Sequence, residues 1–84
     1  MATNNTHARK DLTFEIKEVL GALGPRKETG YQRLVTVCSF NGGENRIDIR
    51  EWSESMDRMS KGLRISEDEA EKLCKILTER YSAR

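Results

Sequence analysis

Residues 47–52, with the sequence IDIREW, combine side chains that could contact a nucleic-acid strand. Side chains alternate along a strand, so the two isoleucines should share one face. The opposite face should carry Arg46, Asp48, Arg50 and Trp52. If the isoleucines enter a core, that face offers solvent an indole for base stacking and guanidinium groups for phosphates. The structural alternative is that Trp52 closes a loop or the core edge and the arginines are solvated.

Other chemistry has little support in the sequence. Cys38 and Cys74 lie far apart without metal-ligand spacing, and the single histidine, His7, lies in a polar N-terminal stretch. No nucleophile and base pair can be named, so we expect no enzyme activity, no metal or other cofactor and no small-molecule substrate. Two reduced core thiols and no secretory leader favour a cytoplasmic protein, and no apolar run is long enough to predict a membrane span.

Length and charge limit how the chain could bind an anion. Its 84 residues make one small domain, and the net charge is only +1. The basic excess lies in the middle, where residues 26–65 carry eight basic and six acidic side chains. Anion binding must therefore come from charges placed on one face rather than from a bulk field.

The first half of the chain predicts a tail and two strands. Residues 1–11 have almost no apolar content and predict a disordered tail, with the domain at residues 12–84. Alternation from residue 12 predicts a first strand that ends near Gly21. After a proline- and glycine-containing loop, residues 31–40 are rich in β-branched and aromatic side chains and predict a second strand. Neither face of that strand is cleanly polar, so the alternation of its side chains leaves open which face packs against a helix.

The second half predicts a hairpin, two strands and a helix. The glycines of residues 41–45 predict a tight turn into the IDIREW strand. A polar connection follows, in which Met56 and Met59 are interpreted as packing residues. Residues 61–65 predict a short fourth strand with its leucine and isoleucine inward and its arginine outward. Ser66 begins a capping box for a helix to about residue 81, which gives an α+β fold with four antiparallel strands and a C-terminal helix (ββββα).

The helix carries more apolar surface than a small sheet usually covers. At 100° per residue one arc, expected to cover the sheet, contains Ala70, Leu73, Cys74, Leu77 and Tyr81. Ile76 lies about 60° beyond Leu73 and widens this arc. A second helix could cover the excess, so we predict a homodimer with Leu73, Ile76 and Leu77 at its interface.

The order of these motifs resembles a known family. IDIREW, a polar connection and KGLRISEDEAEKL are similar to the single-stranded DNA-binding domain of the transcriptional coactivator "positive cofactor four", particularly its small bacterial relatives. The resemblance covers roughly residues 12–82. It implies a homodimer with a four-stranded antiparallel sheet and a C-terminal helix. It also implies binding to single-stranded or melted DNA with little sequence preference.

The resemblance assigns roles to particular residues. Phe40 matches the stacking aromatic before the hairpin, and Arg50 and Trp52 match the arginine and the aromatic of the central motif. Lys61 matches the lysine before the glycine, and Arg33 a basic position of the second strand.

Two departures from the family pattern bear on those roles. The hairpin lacks the lysines common in the family, for which Arg46 could compensate. A tyrosine that eukaryotic members carry before the tryptophan is missing, so the step from Glu51 to Trp52 is shortened. Tyr31 and Arg46 complete the predicted nucleic-acid-binding set.

Three function hypotheses follow from this pattern. The first is a nonspecific single-stranded DNA-binding protein in transcription regulation or DNA repair, which acts by aromatic stacking and by Arg and Lys contacts to phosphates. The second is a protein-interaction adaptor of the transcription machinery that receives a partner on the open sheet. The third is an RNA-binding module that uses the same surface.

Overall fold

The computed structural model describes residues 13–82, which form one antiparallel sheet followed by one helix. The strands are β1 (Phe14–Ala22), β2 (Gln32–Phe40), β3 (Arg46–Trp52) and β4 (Leu63–Ile65), and the helix is α1 (Glu67–Ser82). The strands lie in the order β1-β2-β3-β4, which confirms the predicted α+β fold. The predicted tail, residues 1–11, lies outside the described residues.

Local sequence signals determine where the elements turn and begin. Asn41 and Gly42 adopt positive φ angles of 53° and 72°, and the Gly43 N–H donates to the Phe40 carbonyl at 2.9 Å, closing the predicted β2–β3 turn. At the start of α1, the Glu69 N–H donates to the Ser66 hydroxyl at 3.1 Å, and the Ser66 N–H donates to the Glu69 carboxylate at 3.0 Å. The predicted capping box is confirmed.

Strand β1 carries two extra residues relative to its partner β2. Ile16 pairs with Cys38 and Glu18 with Val37, so Lys17 is extra, and a second register shift between Val19 and Gly21 makes Leu20 extra. Such bulges bend a strand and increase its twist. The bent strand carries the Phe14 ring to 5.3 Å from the Trp52 ring and 6.1 Å from the Phe40 ring, measured between centroids.

The buried core lies on the face of the sheet that was predicted to meet solvent. Its buried apolar members are Leu34, Cys38, Phe40 and Trp52, with Thr36 and Asp48 buried beside them. Phe14, Ile16, Met56 and Met59 pack against this cluster, which confirms the packing role of the two methionines. The prediction that the isoleucines occupy the core and Trp52 faces solvent is wrong. Bent strand β1 and the β3–β4 connection both fold over the Trp52 face and exclude water from it.

The opposite face and the helix remain partly uncovered. Val35, Val37, Ile47 and Ile49 are half-buried, and Leu63, which was predicted to point inward, is 55% exposed. No residue of α1 is buried, so the predicted stripe does not complete a core within one chain.

The two cysteines differ in their surroundings. Both are free; Cys38 is buried as expected, but Cys74 is exposed and is not the core thiol that the pattern predicted. Burial raises the pKa of the Cys38 thiol above its ordinary value. Cys38 is therefore a packing residue in its neutral form.

Burial of Trp52 predicts a stability effect. Its side chain is 0% exposed, so Trp52→Ala should lower the free energy of unfolding by about 3–5 kcal/mol, measured by urea denaturation followed by circular dichroism. Trp52→Phe should cost less, because it keeps a ring and removes an indole N–H that has no hydrogen-bond partner within residues 13–82. Wild-type stability in Trp52→Ala would contradict this assignment.

Candidate nucleic-acid interface

A buried ion pair joins the two polar side chains of the IDIR motif. Asp48 is 0% exposed, and its two carboxylate oxygens accept from Arg50 Nε and Nη2, each at 2.7 Å. The third nitrogen, Arg50 Nη1, lies 3.3 Å from the Ser60 carbonyl oxygen and 3.2 Å from the Met59 sulfur. With its side chain only 11% exposed, Arg50 holds the core edge together. The prediction that Arg50 faces solvent is wrong.

Gly62 lets the β3–β4 connection approach this ion pair. A Cβ at residue 62 would lie 2.4 Å from Arg50 Cβ and 2.6 Å from the Ile49 carbonyl oxygen, distances that side chains do not tolerate. Glycine is therefore required here by the space available. Lys61, which precedes it, is exposed. The lysine–glycine pair thus combines a packing requirement with a solvent-exposed charge.

Three arginines surround Asp48 on the core face of the sheet, near the β2–β3 hairpin. Arg64 lies directly opposite Asp48 in the β3–β4 register. Arg46 and Arg50 lie two residues to either side of Asp48 on β3, and therefore on the same face. We call Arg46, Arg50 and Arg64 the arginine cluster. One carboxylate cannot neutralise three guanidinium groups, and Arg50 occupies both of its oxygens, so the cluster carries excess positive charge.

The two aromatic rings predicted to stack on bases do not present open faces. Trp52 is 0% exposed and Phe40 is 9% exposed. The Phe40 ring also has the Arg64 guanidinium carbon 4.2 Å from its centroid and the Arg50 guanidinium carbon at 5.0 Å. In this arrangement the Phe40 ring contacts two cations. The predicted exposure of Trp52 is therefore wrong, because its ring fills the core, whereas the base-stacking role that the resemblance assigns to Phe40 stays a prediction.

Two other predicted site residues, Arg33 and Tyr31, lie at the end of the sheet away from the β2–β3 hairpin. Arg33 contacts the Glu51 carboxylate at 3.0 Å, and Lys27 contacts the same oxygen at 2.5 Å. Hydrogen bonding by Lys27, together with the charge of Arg33, lowers the pKa of Glu51 below its ordinary value of 4.5. Tyr31 lines an open cavity of about 620 Å³ between the β1–β2 and β3–β4 connections. The structure therefore brings Arg46, Arg50 and Phe40 together but leaves Arg33 and Tyr31 apart from them.

Arg64 was missed by the sequence analysis. The alternation of β4 places Arg64 on the face opposite Leu63 and Ile65, a face that the sequence predicts to point away from the core. The pairing of Arg64 with Asp48 could have been found only with the β3–β4 register known.

Two further properties concern metals and membranes. Within residues 13–82, no group of three histidine, cysteine or acidic side chains is placed to hold a metal ion. In the same part of the chain, no helix has the length and apolar character needed to cross a membrane.

The sheet, the C-terminal helix and the cluster of cations on one face are the features of a small nucleic-acid-binding domain. The family model of Transcriptional Coactivator p15 (PC4) matches residues 27–76, more than half of the 84-residue chain, and the chain belongs to this family. The match runs from the β1–β2 connection into α1 and includes the whole arginine cluster. A comparison with individual curated proteins gave no match. Family membership supports a non-enzymatic nucleic-acid-binding, coactivator-type role.

The buried ion pair predicts a second stability effect. Asp48→Asn should lower the free energy of unfolding by about 3 kcal/mol, since it leaves the Arg50 charge without a counter-ion in a nearly dry site. Glu51→Gln is the matched control, because it neutralises a carboxylate that pairs with exposed cations and should cost far less. Urea denaturation of both variants makes the comparison, and equal losses would contradict the structural role of Asp48.

Proposed function

We propose that this chain is a single-stranded DNA-binding protein that acts in transcription regulation or DNA repair. The observation that carries the proposal is the excess positive charge of the arginine cluster in a domain of the PC4 family. Contacts to phosphates are its main source of affinity, because Trp52 and Phe40 are buried. Two free cysteines support a reducing, cytoplasmic location.

The distribution of charge favours the sheet over the helix as the binding element. Helix α1 carries five acidic and three basic side chains, so it is poorly suited to enter a groove between phosphates. The sheet instead offers Arg46 and Arg64, with Lys61 exposed on the connection beside them. A flexible single strand can bend to follow such a short row of cations, whereas a stiff duplex cannot.

Salt dependence tests the proposal. If Arg46, Lys61 and Arg64 reach about three phosphates per protomer, a dimer should give a slope of log affinity against log salt of roughly −4. Binding should be nearly independent of sequence. The measurement is a titration with matched single- and double-stranded DNA and RNA oligomers at several salt concentrations.

Each alternative function gives a different result in this titration. Equal affinity for duplex and single strand would contradict the proposal. Tighter binding to RNA than to DNA would favour the RNA-binding module. A flat salt response would remove phosphate contacts as the source of affinity and favour the protein-interaction adaptor.

We further propose that the working unit is a homodimer. The face of the sheet opposite the core carries half-buried isoleucines and valines, and Ile76 on α1 is 62% exposed. Leu73 is half-buried and Leu77 is exposed on the same helix. Burying these surfaces against a second copy would add a core that one small chain does not form alone.

Ile76→Glu tests the homodimer. A charge at this position should shift the mass measured by light scattering from about twice the chain mass toward the chain mass, and it should lower the melting temperature. Lys75→Gln is the matched control, since it makes the same change in charge at the neighbouring exposed position. A wild-type protein that is monomeric at tens of micromolar would contradict the proposal.

A further inference from the structure

We propose that Arg64 is a phosphate-binding residue of this domain and that Phe40 is the residue that positions it. The inference rests on the proposed function, because the phosphate belongs to the bound single strand. It assigns a phosphate contact to one of the three side chains of the arginine cluster. Of these three, Arg50 is committed to the core and Arg64 is the most exposed.

The available cation is determined by the ion pairing around Asp48. Arg50 is engaged through all three of its nitrogens by Asp48, Ser60 and Met59. Arg64 lies opposite Asp48 in the β3–β4 register, yet within residues 13–82 it forms no ion pair with any acidic side chain. Its side chain is exposed. Arg64 therefore retains its full charge and its hydrogen-bond donors for an external anion.

The Phe40 ring holds this free cation in place. The guanidinium carbon of Arg64 lies 4.2 Å from the ring centroid, and the ring is itself fixed in the core beside Phe14. A contact between a cation and a π face uses the face of the ring and leaves the guanidinium edge able to donate to two phosphate oxygens. Because the side chain is restricted before the strand arrives, less conformational entropy is lost on binding.

Arg46 extends the same site along β3. It lies diagonally across from Arg64 on the same face, at the separation of diagonal neighbours, about 7–8 Å between Cα atoms. Within residues 13–82 Arg46 likewise forms no ion pair. Two unpaired guanidinium groups around one neutralised ion pair make a local anion site in a chain whose net charge is only +1.

The test is a salt titration of Arg64→Gln, Arg64→Lys and the control Lys75→Gln with a single-stranded DNA oligomer. Arg64→Gln should weaken binding about tenfold and make the log–log slope shallower by roughly 1.4 per dimer, which corresponds to one lost phosphate contact per protomer. Arg64→Lys should keep the wild-type slope, because it keeps the charge. Lys75→Gln, which removes one charge from the helix, should change neither quantity.

Phe40→Leu tests the positioning role. It keeps an apolar side chain but removes the π face, so Arg64→Gln should weaken binding less in the Phe40→Leu background than in the wild type. Circular dichroism establishes that each variant is folded at the temperature of the titration. Equal effects of Arg64→Gln in the two backgrounds would show that Phe40 does not position Arg64.

The controls separate this inference from the proposed function. A wild type that binds the oligomer with a steep salt slope, together with an Arg64→Gln variant of unchanged affinity and slope, overturns the role of Arg64 alone. An Arg64→Lys variant with the shallow slope of Arg64→Gln also overturns it. A wild type without salt-dependent binding overturns the proposed function, and the role of Arg64 with it.

Discussion

The buried contact between Asp48 and Arg50 determines the arrangement of the rest of the domain. A carboxylate and a guanidinium can leave water together only when their hydrogen bonds are completed by each other and by nearby groups. Here the remaining guanidinium nitrogen reaches the Ser60 carbonyl, so the ion pair also fixes the β3–β4 connection. That connection carries Met56 and Met59 onto the core around Trp52.

The same ion pair separates the interior of the domain from its proposed binding surface. Both lie on one face of the sheet, because Arg46, Asp48, Arg50 and Trp52 alternate along β3. Toward Trp52 the face is closed by β1 and the methionines. Toward the hairpin the same face carries the half-buried Arg46 and the exposed Arg64, and both Asp48 oxygens are already occupied by Arg50. The proposed anion site is therefore a consequence of how the core is completed.

Local sequence signals predicted the elements well. The order of strands, the Asn-Gly turn and the Ser66 capping box each depend on residues within a few positions of one another, and each is confirmed. The choice of interior face was predicted wrongly, because alternation divides a strand into two sets and does not say which set is buried. That choice depends on the bulges of β1 and on the folding of a connection over Trp52, which are long-range features.

The candidate site shows the same division between local and long-range information. Arg46 and Phe40 were found by motif, whereas the availability of Arg64 depends on a register between two strands. The shortened step from Glu51 to Trp52 did indicate which face of β3 is interior. It places the indole on the same face as Asp48 and Arg50, and a face that buries a carboxylate paired with an arginine is an interior one.

The two faces of the sheet have different requirements for a partner. The Trp52 face completes its own core within one chain, whereas the isoleucine face leaves Leu63 and Ile76 exposed. A homodimer formed through the isoleucine face would therefore leave both arginine clusters on its outside, available to solvent. One single strand that contacts both clusters would gain from the high effective concentration of the second site once the first is occupied. The same division of the sheet that would stabilise a small domain by self-association would thus also lengthen the surface that the proposed homodimer offers to a nucleic-acid strand.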